Sequence, residues 1–258
     1  RHLNRHSHGL SRVVFCLILL VSIVCWAGAR EDHLASLGAS AAKIRELSYR
    51  PVTSKMVSQS ECVRYTLRLL DKEMTPQRTE RRETFLRLLG LISGPKPLKE
   101  QYAALLGDQV RGLYDPAAKC FLVVSGGKSN PESEAASGLG LNIDDILTVH
   151  ELGHAIQDQH FNLSRISAAV AENFDQEMAA SSVFEGDATL LMLEFALQSM
   201  GMDPSMMRGQ QLPLDGNQMM NSSPALASAP RYLREAMSFP YAEGYQFVSY
   251  LKNRGGWK

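Results

Sequence analysis

In Thr148-Val149-His150-Glu151-Leu152-Gly153-His154-Ala155 two imidazoles stand four positions apart with a carboxylate between them. Ile146, Leu147, Val149 and Ile156 surround them, which predicts a buried helix from about Ile143 to His160. A helix turns once in about 3.6 residues, so His150 and His154 project from one face, close enough to clasp one tetrahedral cation such as zinc. Glu151 is rotated by about 100° from His150, which directs it to a water at an open coordination position, where it is the natural general base. Gly153 leaves room on the same face. Two His and one Glu are costly to bury without partners, so an exposed polar face that happens to carry this spacing is the weaker reading.

A catalytic zinc usually takes three protein ligands, and a second helix predicted from about Asp175 to Met200 should supply the third. Glu185 is the leading candidate. Ser181, Ser182, Gly186 and Ala188 around it are small and would let this helix approach the first closely, while its apolar neighbours make an unpaired carboxylate costly. Glu172 and Glu177 lie on a more polar approach and are expected to be solvated, whereas Asp187 is a candidate for orienting a ligand histidine. His160 falls on a different face and is expected to be a surface or supporting histidine.

Upstream, Gln109 to Tyr114 and Lys119 to Val124 are apolar runs across Asp115-Pro116, which predicts a β-hairpin. Ser125 to Gly140 is expected to be a surface loop. Leu34 to Leu91 is Ala-, Leu- and Arg-rich, and Val63, Leu67, Leu70 and then Phe85, Leu88, Leu89 recur at helical intervals, predicting amphipathic helices. Gly94 to Pro97 breaks this region, and a short helix from Leu98 to Leu106 is expected to stop at Gly107. Gly201 to Pro230 is rich in Met, Gln, Asn, Pro and Ser and reads as a long irregular insertion, followed by a last helix from Tyr241 to Lys252.

With 27 Lys+Arg against 27 Asp+Glu the formal charge is zero, so no basic field exists to hold nucleic acid, and no nucleic-acid partner is expected. Arg1, Arg5 and Arg12 precede an apolar run from Val13 to Trp26 and then Ala27-Gly28-Ala29, the pattern of a signal peptide over residues 1–29. The run falls short of the roughly twenty residues that span a bilayer, so a membrane tether through residues 13–27 is the alternative. Either way the protein is expected to be exported: periplasmic, secreted or membrane-anchored. His2, His6 and His8 would be lost on cleavage. Cys62 and Cys120 would then remain, as one disulfide or as two buried thiols. Residues 30–95 read as a helical N-terminal region and 96–258 as a catalytic domain, C-terminally truncated.

His150-Glu151-Leu152-Gly153-His154 followed by Glu185-Gly186-Asp187-Ala188 resembles the gluzincins, the thermolysin-like clan of metallopeptidases, in particular their bacterial peptidase-MA-like members. Val110 to Pro116, the continuation from His154 to His160, and Tyr241 to Val248 with Arg254 to Trp257 fit the same pattern, so the likeness covers about Gln109 to Trp257. The resemblance implies that His150, His154 and Glu185 hold one zinc per chain, that Glu151 is the catalytic base, and that a strand near Phe121 to Val124 lies along the substrate. Thirty residues separate His154 from Glu185, more than in thermolysin-like enzymes, which implies a looped excursion from Phe161 to Phe174. Tyr241 and Tyr245 are the candidates for stabilising the oxyanion, though either could be a packing aromatic.

The expected architecture is α+β: a mainly helical zincin-like fold with a small sheet ahead of the motif helix. The expected function is zinc-dependent hydrolysis of a peptide or protein substrate bound as an added strand. Two rivals stand beside it: an inactive zincin-fold binding or assembly module of the cell envelope, and a zinc hydrolase of non-peptide substrates.

Overall fold

The computed structural model describes residues 30–109, 112–124, 141–207 and 228–257. The expected signal segment with its histidines, the Ser125 to Gly140 loop and most of the Met-rich insertion lie outside the described residues. Among the described residues the fold is mainly helical with one three-stranded sheet, α+β as expected.

Helix α1 (residues 30–45) opens the described chain, and Pro51 with the β-branched Val52, Thr53 and Val57 turns the backbone to extended structure in β1 (Thr53–Val57). The sequence reading missed this strand and ran helix through it. Ser58 then starts α2 (Gln59–Glu73) with a reciprocal capping box to Glu61. Next come α3 (Pro76–Leu88) and α4 (Leu98–Gln109), the latter continuing through Gly107 rather than stopping there. The hairpin follows as β2 (Gly112–Asp115) and β3 (Cys120–Val124). The strand order is β1-β3-β2, with β1 parallel to β3 from Thr53 opposite Cys120 to Val57 opposite Val124, and β2 antiparallel to it.

The motif helix is α5 (Ile143–Phe161), started by the Asn142 side chain, which accepts from the backbone of Asp144 and Asp145. It stops at Asn162, whose left-handed φ of 56° closes α5 while its side chain caps α6 (Leu163–Val170). The excursion expected between Phe161 and Phe174 is therefore a short helix and not a loop. Helix α7 (Phe174–Ser199) carries Glu185, a 3-10 turn spans Pro204–Met207, and α8 (Arg231–Gly255) is twice the length expected because it runs through Pro240.

Two clusters hold the motif helix. Leu37, Ala41 and Ala42 of α1 pack with Val149, Leu152, Ile156 and Leu191, and Tyr114 and Phe121 of the hairpin pack with Ala155. Burying Val149, Leu152 and Ile156 almost completely stabilises the packing by about 1.5–3 kcal/mol each. A separate cluster joins Leu86, Leu98 and Leu105 to Leu233 of α8. The stripe expected on α3 is reversed: Phe85, Leu88 and Leu89 are exposed at 60%, 82% and 57%, and Leu86 faces the core.

Candidate metal centre

Helix α5 presents His150 and His154 one turn apart, their rings edge to face with centroids 4.9 Å apart. Helix α7 crosses it where Gly153 meets Ala188: a Cβ on Gly153 would lie 3.3 Å from Leu191 Cδ2 and 3.4 Å from the Ala188 Cα. That approach delivers Glu185, whose Oε2 lies 3.1 Å from His150 Nε2 and 3.4 Å from His154 Nε2. One ligand atom from each of the three residues falls within 4.8 Å of the others, close enough to hold a metal ion.

The electrostatics follow from this closeness. Burial is the largest single influence and opposes the His154 imidazolium, but the charge and hydrogen bond of Glu185, with Glu151 and Gln157, together exceed it and push its pKa up to about 9. Burial alone would raise the Glu185 carboxyl; His154 and His150 hold it well below the usual carboxylate range instead. Without a metal His154 and Glu185 form an ion pair, and a cation bound between them would displace the proton from it.

Glu151 lies to one side of this cluster. The backbone N–H of Tyr114 donates to its Oε2 at 2.8 Å, so a backbone donor of edge strand β2 fixes the carboxylate. Across the site the Tyr241 ring stacks on His150, with centroids 6.0 Å apart and planes 24° apart, and its phenol lies beside Glu185. The charge of Glu185, then burial and Glu151, push the Tyr241 phenol well above its ordinary value, so it keeps its proton. Tyr245 is not brought here. It is fully buried against Leu190 and Val248, where it fills the core between α7 and α8.

Tyr241 reaches the cluster because α8 lies directly on α7. A Cβ on Gly186 would fall 2.1 Å from the Gly244 carbonyl carbon, and one on Gly244 would fall 2.1 Å from the Ser182 carbonyl oxygen. Ser182 and Gly186, expected to face the motif helix, thus serve the contact with α8, while Ala188 serves the one with α5. No protein-family model matches this chain, and neither a curated protein nor a solved structure does.

The remaining candidates fall outside the cluster. Glu177 is paired with Arg78 and Arg82 rather than solvated, and Glu172 is exposed beside Arg81. His160 Nε2 bonds to the Ser48 carbonyl at 2.8 Å, tying α5 to the segment between α1 and β1. Cys62 and Cys120 are free thiols, Cys62 buried and Cys120 half-buried. The strand expected along a substrate also changes: β3 is central and both its edges are paired, so among the described strands only β1 and β2 keep a free edge. Asp187 touches neither ligand histidine but accepts from Gln157 at 2.8 Å and from Arg45 at 2.7 Å. Gln157 bonds to His154 and was visible in sequence as its neighbour three places on; Arg45 and the Tyr114 N–H carried no sequence signal.

Proposed function

We propose that this chain is a zinc-dependent metallopeptidase with a zincin-like fold of the gluzincin type, hydrolysing peptide bonds in proteins outside the cytoplasm. The observation that carries the reading is the position of the Glu185 carboxylate, 3.1 and 3.4 Å from the two Nε2 atoms. Zinc–nitrogen and zinc–oxygen bonds of about 2.0–2.2 Å in tetrahedral array require donor atoms about 3.3–3.5 Å apart, and the two distances from Glu185 lie close to that spacing. His150, His154 and Glu185 would hold the ion, leaving its fourth position to water or substrate.

Zinc held there would supply Lewis acidity, which brings the pKa of a water towards about 7. The chain's own groups carry the proton chemistry. Glu151, oriented by the Tyr114 N–H, takes a proton from the attacking water and passes it to the leaving amine. Tyr241, held protonated beside Glu185, donates to the oxygen of the scissile carbonyl as charge develops on it. Strand β2, whose Tyr114 N–H meets Glu151, is the free edge along which an extended peptide would lie, with its carbonyl near the three ligands. Export through residues 1–29 is part of the same proposal and gives such an enzyme extracytoplasmic substrates.

Incubation of the purified, zinc-repleted protein with unfolded casein should yield peptide fragments. Chelation should stop the cleavage, and added zinc should restore it. If zinc-loaded protein left casein and a mixed peptide library intact, peptide hydrolysis would be excluded, and the binding module and the non-peptide zinc hydrolase would be the two readings left.

A further inference from the structure

We propose that Gln157, Asp187 and Arg45 form a positioning relay that fixes the tautomer and direction of His154; this rests on reading His154 as a metal ligand. Each link leaves the next little choice. The Gln157 amide nitrogen donates to two acceptors, the Phe184 carbonyl at 2.9 Å and the buried Asp187 carboxylate at 2.8 Å. A flipped amide would set its oxygen against both, so the oxygen must face the other way, where it meets His154 Nδ1 at 3.1 Å. Nδ1 then carries a proton and donates it to Gln157, so Nε2, the atom facing Glu185, is the nitrogen left to a metal.

Asp187 is itself held in place. Arg45 Nε donates to its Oδ1 at 2.7 Å, and both side chains are shielded, 13% and 10% exposed. Arg45 is fixed in turn: its Nη1 donates to the Trp257 carbonyl at 2.9 Å and its guanidinium lies over the Trp257 ring at 4.3 Å. The relay therefore runs from the end of α8 through α1 and α7 to the motif helix. A lysine at 45 would keep the charge but not the fork that reaches Asp187 and Trp257 together.

The test compares wild type, Gln157→Met, Arg45→Lys and the double variant, using zinc and cobalt(II) themselves as probes. Gln157→Met keeps length and volume while removing both polar ends of the amide. Zinc affinity by chelator competition should fall about 10- to 100-fold in each single variant. The cobalt(II) absorption bands should shift in each, and Gln157→Met, though less stable, should remain folded in chelator by circular dichroism. In the double variant the loss should be no larger than the greater single loss, because both substitutions cut one chain. Single variants that bind zinc within twofold of wild type with an unchanged cobalt spectrum would overturn the relay, as would fully additive losses. Wild type that binds neither metal would remove the ligand reading and the relay with it, which separates the two failures. Should Arg45→Lys not fold, Gln157→Met decides alone.

Discussion

Glu151→Gln should retain zinc and lose casein hydrolysis by about a thousand-fold or more. The substitution is nearly isosteric, and the amide oxygen can still accept the Tyr114 N–H that now holds Oε2 at 2.8 Å, so neither ligand geometry nor the edge strand has cause to move. What disappears is the ability to take a proton from water, and a positioned general base contributes about 10²–10⁴-fold. The loss should fall on kcat with KM little changed, since the group acts in the transition state and not in substrate binding. Steady-state kinetics on a casein-derived peptide, beside zinc content and thermal unfolding of the same sample, measures this. Retention of a tenth or more of wild-type kcat would show that Glu151 is not the base.

The largest effect on stability is expected from Gly186→Ala and Gly244→Ala. Alanine favours a helix over glycine by about 1 kcal/mol, so the sign depends on what the methyl meets. At both positions it meets the backbone of the opposing helix at 2.1 Å, which no rotamer change relieves. Helices α7 and α8 must separate, at an overpacking cost of about 3 kcal/mol or more, leaving a net loss of about 2 kcal/mol and a Tm lower by roughly 4–8 °C. Gly255→Ala is the internal control: its Cβ would meet nothing within 4 Å, so it should be neutral or slightly stabilising. The same separation would draw Tyr241 away from His150 and Glu185, so any Gly244→Ala protein that folds should lose most of its activity. Unchanged Tm values would contradict the backbone contact.

The legible part of the site is local or nearly so. His150, Glu151 and His154 share one helix, whose geometry follows from spacing alone, and Glu185 stood out because a carboxylate among small and apolar residues needs a partner. The rest depends on contacts that no periodicity encodes. Arg45 meets Asp187 across 142 positions and Trp257 across 212. Strand β1 is five residues long and is stabilised by pairing with β3, so its own sequence gives little signal against a helix-rich background. Sequence alone places the start of the last helix at Tyr241, yet Leu233 and Tyr245, buried on either side of Pro240, hold α8 in the core as one continuous helix. On α3 the residues Phe85, Leu88 and Leu89 recur at helical intervals, but Leu86 alone turns inward, so spacing identified the helix and misjudged its buried face.

The zincin reading meets its most direct test in elemental analysis of zinc in the purified chain, beside His154→Ala and Glu185→Ala prepared in the same way. About one zinc per chain in the wild type, and far less in both variants, is the result expected if His150, His154 and Glu185 are ligands. A folded wild-type protein that takes up no zinc after repletion, or variants that keep it in full, would contradict the assignment.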